Sequence, residues 1–322
     1  MGRNPTKKVL IVGANGQDGR LLTQISLQHG YAVTGVARSN PSSNFDSSGF
    51  ELLVKNFVDE DECLRTLNNV NPNLIFHVAA AHANSSDMAS FQEKHSSEIF
   101  DTSCTIARNI LLWQRSNLHS KSVIALSSHL YSGISGEHLV NEECHISPTT
   151  DYGRAKAEAY SHIKINRSTY GVKSSAAILF NHTSINGRSD FVYPILANQI
   201  RDVILDRSRE IRIRNFDAQI DITDARDICE GMFKLANLHS SVDFVLGSGE
   251  SNSIRAITNE ALRILGVSNS VDLVSTESNP KTGATLVSDI RKANRMIDWT
   301  PKVDAVALLV MLVREQLKQQ NV

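Results

Sequence analysis

Apolar runs of strand length alternate with segments of helical periodicity along most of the chain. Lys8-Val-Leu-Ile-Val12, Ala32 to Ala37, Glu51 to Lys55, Leu74 to Val78 and Ser122 to Leu126 read as strands, with helical patterns between them. That alternation predicts an α/β protein built on a doubly wound parallel sheet, since parallel neighbours need helical crossovers. A helical stretch from about Ser90 to Arg115 carries an apolar stripe of Ile99, Ile106, Ile110 and Leu111, suited equally to a core or to a second subunit.

The first strand runs directly into Gly13-Ala-Asn15-Gly16-Gln17-Asp18-Gly19 and then a helix. Glycines at this spacing allow a sharp turn, a close approach of backbone to a pyrophosphate and tight packing of helix on strand. The helix N-terminus adds free N–H groups. The pattern predicts a Rossmann-type dinucleotide site. The second strand then ends in Arg38-Ser39, with no carboxylate to accept from a free ribose 2′-hydroxyl, so NADP is expected over NAD. Further on, Tyr152-Gly-Arg-Ala-Lys156 opens a helical pattern reaching about Tyr170 and puts a phenol and an ammonium on one helix face. A nearby positive charge favours the phenolate, which predicts proton exchange by Tyr152 closer to neutral pH.

Composition narrows the function. The 322 residues are 41% hydrophobic, enough for a substantial core, and carry a formal net charge of −1, which gives no footprint for nucleic acid. Apolar runs fall short of a membrane span, and the charged start lacks a signal-type h-region, so a cytoplasmic location is expected. Cys63, Cys104, Cys144 and Cys229 are widely spaced and read as free thiols. The histidines show no metal-ligand spacing, and no metal is expected.

Together, the glycine turn, Ala125-Leu-Ser127-Ser128-His129-Leu-Tyr131 and the Tyr152/Lys156 pair resemble the extended short-chain dehydrogenase/reductase family. Leu179-Phe180-Asn181-His182 and Asn215-Phe-Asp-Ala218 are similar to the branch of GDP-mannose 4,6-dehydratases and GDP-4-keto-6-deoxymannose reductases, and Asp221-Ile-Thr-Asp-Ala-Arg-Asp-Ile228 to its reductase side. The resemblance covers nearly the whole chain.

It implies a catalytic set of Ser127, Tyr152 and Lys156, with His129 beside them. The implied cofactor site comprises Gly13, Asn15, Gly16, Gln17, Asp18, Gly19, Arg38, Ser39, Asn56, Phe57, Val78, Ala79, Ala80, Ala81, Phe180 and His182, as well as Tyr152 and Lys156. His82, Ser128, Asn181, Arg188 and Arg214 are implied at the nucleotide-sugar substrate. Residues 1–182, with 220–250 returning, would form the cofactor domain; 183–219 and 251–322 would form a smaller C-terminal α/β substrate domain. A homodimer is implied through the helices carrying the apolar stripe and Tyr152.

Asn56 and Phe57 fall where the family usually has Asp-Leu at the adenine, so that contact is altered or lost, and three further departures bear on function. His129 stands where the dehydratases carry a glutamate that removes a proton at C5; it can act as a base or simply pack beside Tyr131. Ile220 and Asn279 stand where the branch has arginines near the nucleotide. Either Arg188, Arg201, Arg212, Arg214 or Lys281 compensates, or the substrate is not an ordinary GDP-sugar. The expectation is an NADP-dependent reductase of a nucleotide-activated 4-keto-6-deoxy sugar, with a 4,6-dehydratase or epimerase, and a non-catalytic NADP sensor, as alternatives.

Overall fold

The computed structural model describes residues 7–40, 48–81, 95–267, 271–277 and 285–319. At its centre is a seven-stranded parallel sheet of β1 (Lys8–Val12), β2 (Ala32–Ala37), β3 (Phe50–Val54), β4 (Leu74–His77), β5 (Lys121–Ser127), β6 (Lys173–Leu179) and β7 (Phe244–Leu246), in the spatial order β3-β2-β1-β4-β5-β6-β7. Val9 of β1 pairs with Val33 on one side and Leu74 on the other. Strand order reverses there, and such a switch point opens a crevice at the carboxyl ends of the strands.

Side chains alternate across the sheet, and both faces are covered. Val9 and Ile11 join Leu22, Phe76, Met232 and Trp299, whereas Leu10 and Val12 join Leu67, Ile75, Ile110 and Trp113. This two-sided burial is why the strands read as continuous apolar runs rather than alternating ones. The covering helices are α1 (Gln17–Gln28), α2 (Glu60–Val70), α3 (Ile106–Arg115) and α4 (Asp151–Tyr170), later joined by α6 (Ala225–Ala236), which follows α5 (Val192–Ile204). Residues 95–100 are helical and enter α3 through a π turn at Asp101–Thr105. The apolar stripe Ile99, Ile106, Ile110 and Leu111 is at most 4% exposed within this single chain, so it needs no second subunit to bury it.

A separate core forms where α5, α7 (Ile254–Ile264) and α9 (Ala305–Lys318, after α8 at Arg291–Ile297) meet the paired strands Glu210–Ile213 and Asp272–Ser275. Leu196, Ile200, Ile211, Phe216, Ile257 and Leu309 pack there. Asp304 caps α9 by accepting from Ala307 N at 2.7 Å. The short parallel pair Asn181–Thr183 and Ile222–Asp224 forms apart from the central sheet and contributes Asn181, His182, Thr183 and Ile222 to the lining of the cleft.

Candidate active site

The glycine turn fits a dinucleotide. Gly13 takes φ +95°, where a Cβ would lie 2.7 Å from Ala79 N, and a Cβ on Gly19 would lie 2.2 Å from Gly13 O. These two glycines let the turn, the exit of β4 and α1 close on one another. A Cβ on Gly16 would meet only Gly13 O, at 3.3 Å, so this position faces open space, and as the N-cap of α1 it makes no side-chain cap bond. The first N–H groups of α1 are thus directed at a cleft of about 530 Å³, a volume suited to a small-molecule site.

At the carboxyl end of β5, Ser127 caps the short 3-10 turn Ser128–Tyr131, its Oγ accepting from His129 N at 3.3 Å. The Ser127 hydroxyl is hydrogen-bonded to Tyr152, which stands in the first turn of α4. Thr150 caps that helix by accepting from Gly153 N at 3.0 Å. A Cβ on Gly153 would lie 2.6 Å from His129 O, so the glycine permits α4 to press against the turn. One helical turn on, Lys156 Nζ donates to Ala125 O at 2.9 Å and lies 5.6 Å from the centroid of the Tyr152 ring. Ser127, Tyr152 and Lys156 therefore converge on one wall of the cleft.

Burial sets the protonation of this wall. It pushes the Tyr152 phenol well above its ordinary value, more than the Ser127 hydrogen bond offsets. Burial thus opposes the shift toward phenolate that the Lys156 spacing favours. Burial also lowers Lys156 to about 8, with the Asp18 carboxylate opposing. His129 is lowered by burial and stays a neutral imidazole, its Nδ1 3.4 Å from Thr150 Oγ1 and its ring 5.5 Å from that of Tyr152.

Opposite lies a charged pair. His182 Nδ1 donates to Phe180 O at 2.7 Å and Nε2 donates to Asp18 Oδ2 at 3.1 Å, so both ring nitrogens face acceptors. Burial opposes the charged forms of both groups, but each partner's charge prevails: His182 is raised and Asp18 lowered. Gln17 joins the network, donating to Asp18 Oδ1 at 3.1 Å and accepting from Ser184 Oγ at 3.1 Å. The glycine turn is thereby tied to the chain that follows Asn181–Thr183.

At the other end of the cleft, Asn15 Nδ2 donates to Ser39 O at 2.7 Å, and Arg38 pairs with Glu98 at 2.5 Å. Asn56, Phe57, Val78, Ala79 and Ala80 also line the cleft, as do Ser128, Phe180, Asn181, His182 and Arg188. Ala81 does not line it; it is buried against Ile99, Tyr152 and Ala155, supporting Tyr152 from behind. Arg214 is not at the cleft either, and its guanidinium is engaged by Glu277 at 2.9 and 3.0 Å. Arg188 reaches the cleft but is held by both oxygens of Asp190, at 3.0 and 2.7 Å. His82, Asn279 and Lys281 lie outside the described residues.

Sequence reasoning missed Lys55, Thr102, Tyr193 and Ile222, all of which line the cleft. Lys55 follows β3 and was findable from its neighbours Asn56 and Phe57. The others come from distant segments with no local signal. Ile220, together with Phe191, Val192 and Ile222, gives the substrate end an apolar wall. Among the described residues no group of histidines, cysteines or carboxylates is arranged to hold a metal ion, and no helix is long and apolar enough to cross a membrane.

The comparisons with known proteins agree with this architecture. A family model described as GDP-mannose 4,6 dehydratase matches residues 10–312. The chain belongs to that family. It is 25% identical to the GDP-mannose 4,6 dehydratase of Drosophila melanogaster, over 98% of this chain and 88% of that one. Among solved structures, dTDP-glucose 4,6-dehydratase of Bacillus anthracis in complex with NAD superposes with a TM-score of 0.81 at 14% identity, covering 98% of both chains. RMD from Pseudomonas aeruginosa complexed with NADPH gives 0.78 at 16%, covering 98% of this chain and all of the other. At such identities the structures speak for the fold, the extended short-chain dehydrogenase/reductase architecture expected from the sequence.

Proposed function

We propose that this protein exchanges hydride at C4 of a nucleotide-bound hexose with NADP, acting in the net direction as a reductase of a 4-keto-6-deoxy sugar. The observation that carries the reading is the convergence of Ser127, Tyr152 and Lys156 beside the glycine turn. When bound, the nicotinamide supplies the hydride. The Tyr152 phenol gives its proton to the oxygen at C4 as negative charge develops there. Ser127 donates a second hydrogen bond to the same oxygen, and the Lys156 ammonium stabilises the phenolate left behind. Arg38 favours a 2′-phosphate, which agrees with NADP. Solved structures of the same fold hold UDP-glucose, NAD or NADPH, which supports a nucleotide-sugar and dinucleotide reading.

Direction rests on His129. Tyr152 can give a proton to a carbonyl oxygen or take one from a hydroxyl, but reduction needs no base at C5. The second reading, 4,6-dehydration, is favoured by the names of the relatives. It would require the neutral His129 imidazole to remove the C5 proton. Two incubations separate them. Steady loss of NADPH with GDP-4-keto-6-deoxymannose supports reduction, whereas a keto-sugar formed from GDP-mannose and NADP without net redox change supports dehydration. Tight dinucleotide binding with neither reaction leaves another sugar nucleotide or a sensor.

The division into cofactor and substrate domains, a homodimer and a cytoplasmic setting complete the proposal. For the dimer, Phe100 beside the π turn and Ile165 on α4 remain 45% and 53% exposed. Light scattering of the purified protein measures its mass directly.

A further inference from the structure

The residue following β2 is where a Rossmann-type site reads the adenosine ribose: an acid accepts from the 2′-hydroxyl of NAD, an arginine takes the 2′-phosphate of NADP. Here the local sequence offers only Arg38. Folding adds the acid. Glu98, from the helical residues 95–100, brings Oε1 to 2.5 Å from Arg38 Nη1, and its other oxygen lies 3.2 Å from His95 Nδ1. The Glu98 carboxyl is held below its usual range, chiefly by the Arg38 hydrogen bond, and is ionised at neutral pH. Arg38 and Ser39 line the cleft, and the Asn15 bond to Ser39 O fixes this loop to the glycine turn. Arg38 therefore sits where the cofactors differ, with Glu98 reaching it from outside the residues that line the cleft.

We propose that Glu98 sets the cofactor preference of this cleft by competing with a 2′-phosphate for Arg38. This rests on the dinucleotide reading above. Arg38 has five N–H donors and only one is used by Glu98, so a phosphate can still bind. It does so beside a fixed carboxylate, whose repulsion weakens NADP relative to an isolated arginine. The wild-type protein accepts both dinucleotides, with NADP favoured by no more than about tenfold.

Calorimetric titration of wild type, Glu98→Gln, Glu98→Asp and Arg38→Gln with NADP and NAD tests this. Glu98→Gln removes the charge, and NADP tightens by about tenfold while NAD changes by less than about threefold. Glu98→Asp keeps the charge and stays within about threefold of wild type for both. Arg38→Gln reverses the preference toward NAD. A Glu98→Gln protein whose NADP-to-NAD ratio is within about twofold of wild type overturns the proposal. So does a Glu98→Asp protein that behaves like Glu98→Gln, because the effect would then be packing and not charge. Failure of wild type to bind either dinucleotide overturns the cofactor reading itself, a result distinct from both.

Discussion

Tyr152 and Lys156, at one end of the cleft, are 6% and 2% exposed, whereas Arg38 and Glu98, at the other, leave 61% and 37% of their side chains in solvent. At the reacting end, burial shapes both geometry and protonation: a phenol whose ionisation it opposes, an ammonium brought to about 8, and a His182–Asp18 pair whose charges sustain each other. At the adenosine end, two charges meet in water, where an ion pair contributes little and salt screens it. The contrast teaches that packing fixes the geometry of the Tyr152 wall, while the Arg38–Glu98 pair, proposed to set cofactor choice, is open to salt and solvent.

Breaking the buried end has the largest effect. Tyr152→Phe removes the proton donor with little change in volume, and kcat/KM falls by about 10³-fold while dinucleotide affinity is unchanged. Steady-state kinetics alongside calorimetry check this. His182→Ala comes next, because it leaves Asp18 enclosed without its partner and costs about 3 kcal/mol of stability, read by denaturant unfolding. Its pH dependence follows from the two shifts. The raised His182 stabilises fully below about pH 6.5 and loses this as pH rises through its folded-state pKa. The lowered Asp18 stabilises above about pH 4 and loses this as pH falls through its own. The gap between wild type and variant is therefore widest between those limits.

Lys156 gives a smaller effect. With its pKa lowered to about 8, its ammonium is lost above that pH, and kcat/KM declines there by up to about tenfold per unit. An alkaline limb appearing only near the free-lysine value of about 10.4 contradicts this placement. The smallest effect sharpens the exposed end: raising ionic strength to about 1 M, where the screening length is about 3 Å, lowers the NADP-to-NAD affinity ratio by about threefold. The Tyr152 wall, shielded by burial, keeps its turnover at saturating cofactor.

What could be read from the chain follows the same division. The strands announced themselves because Leu10, Val12 and their neighbours are buried on both faces of the sheet. The glycine turn and the Tyr152/Lys156 spacing were legible because each is a local geometric requirement. The electrostatics was not. Glu98 meets Arg38 across 60 residues and His182 meets Asp18 across 164. Arg188 and Arg214 read as substrate cations, and their pairing with Asp190 and Glu277 emerged only in the fold. For Tyr152, spacing reveals the lysine and conceals the burial that opposes it.

Transfer of label tests the central claim most directly: NADPH deuterated at the transferring position of its nicotinamide, a nucleotide-linked 4-keto-6-deoxy sugar, and mass spectrometry of the product. The account predicts deuterium at C4 of the sugar with wild-type protein and about 10³-fold slower labelling with Tyr152→Phe. Product without deuterium at C4, or equal labelling rates for the two proteins, would contradict it.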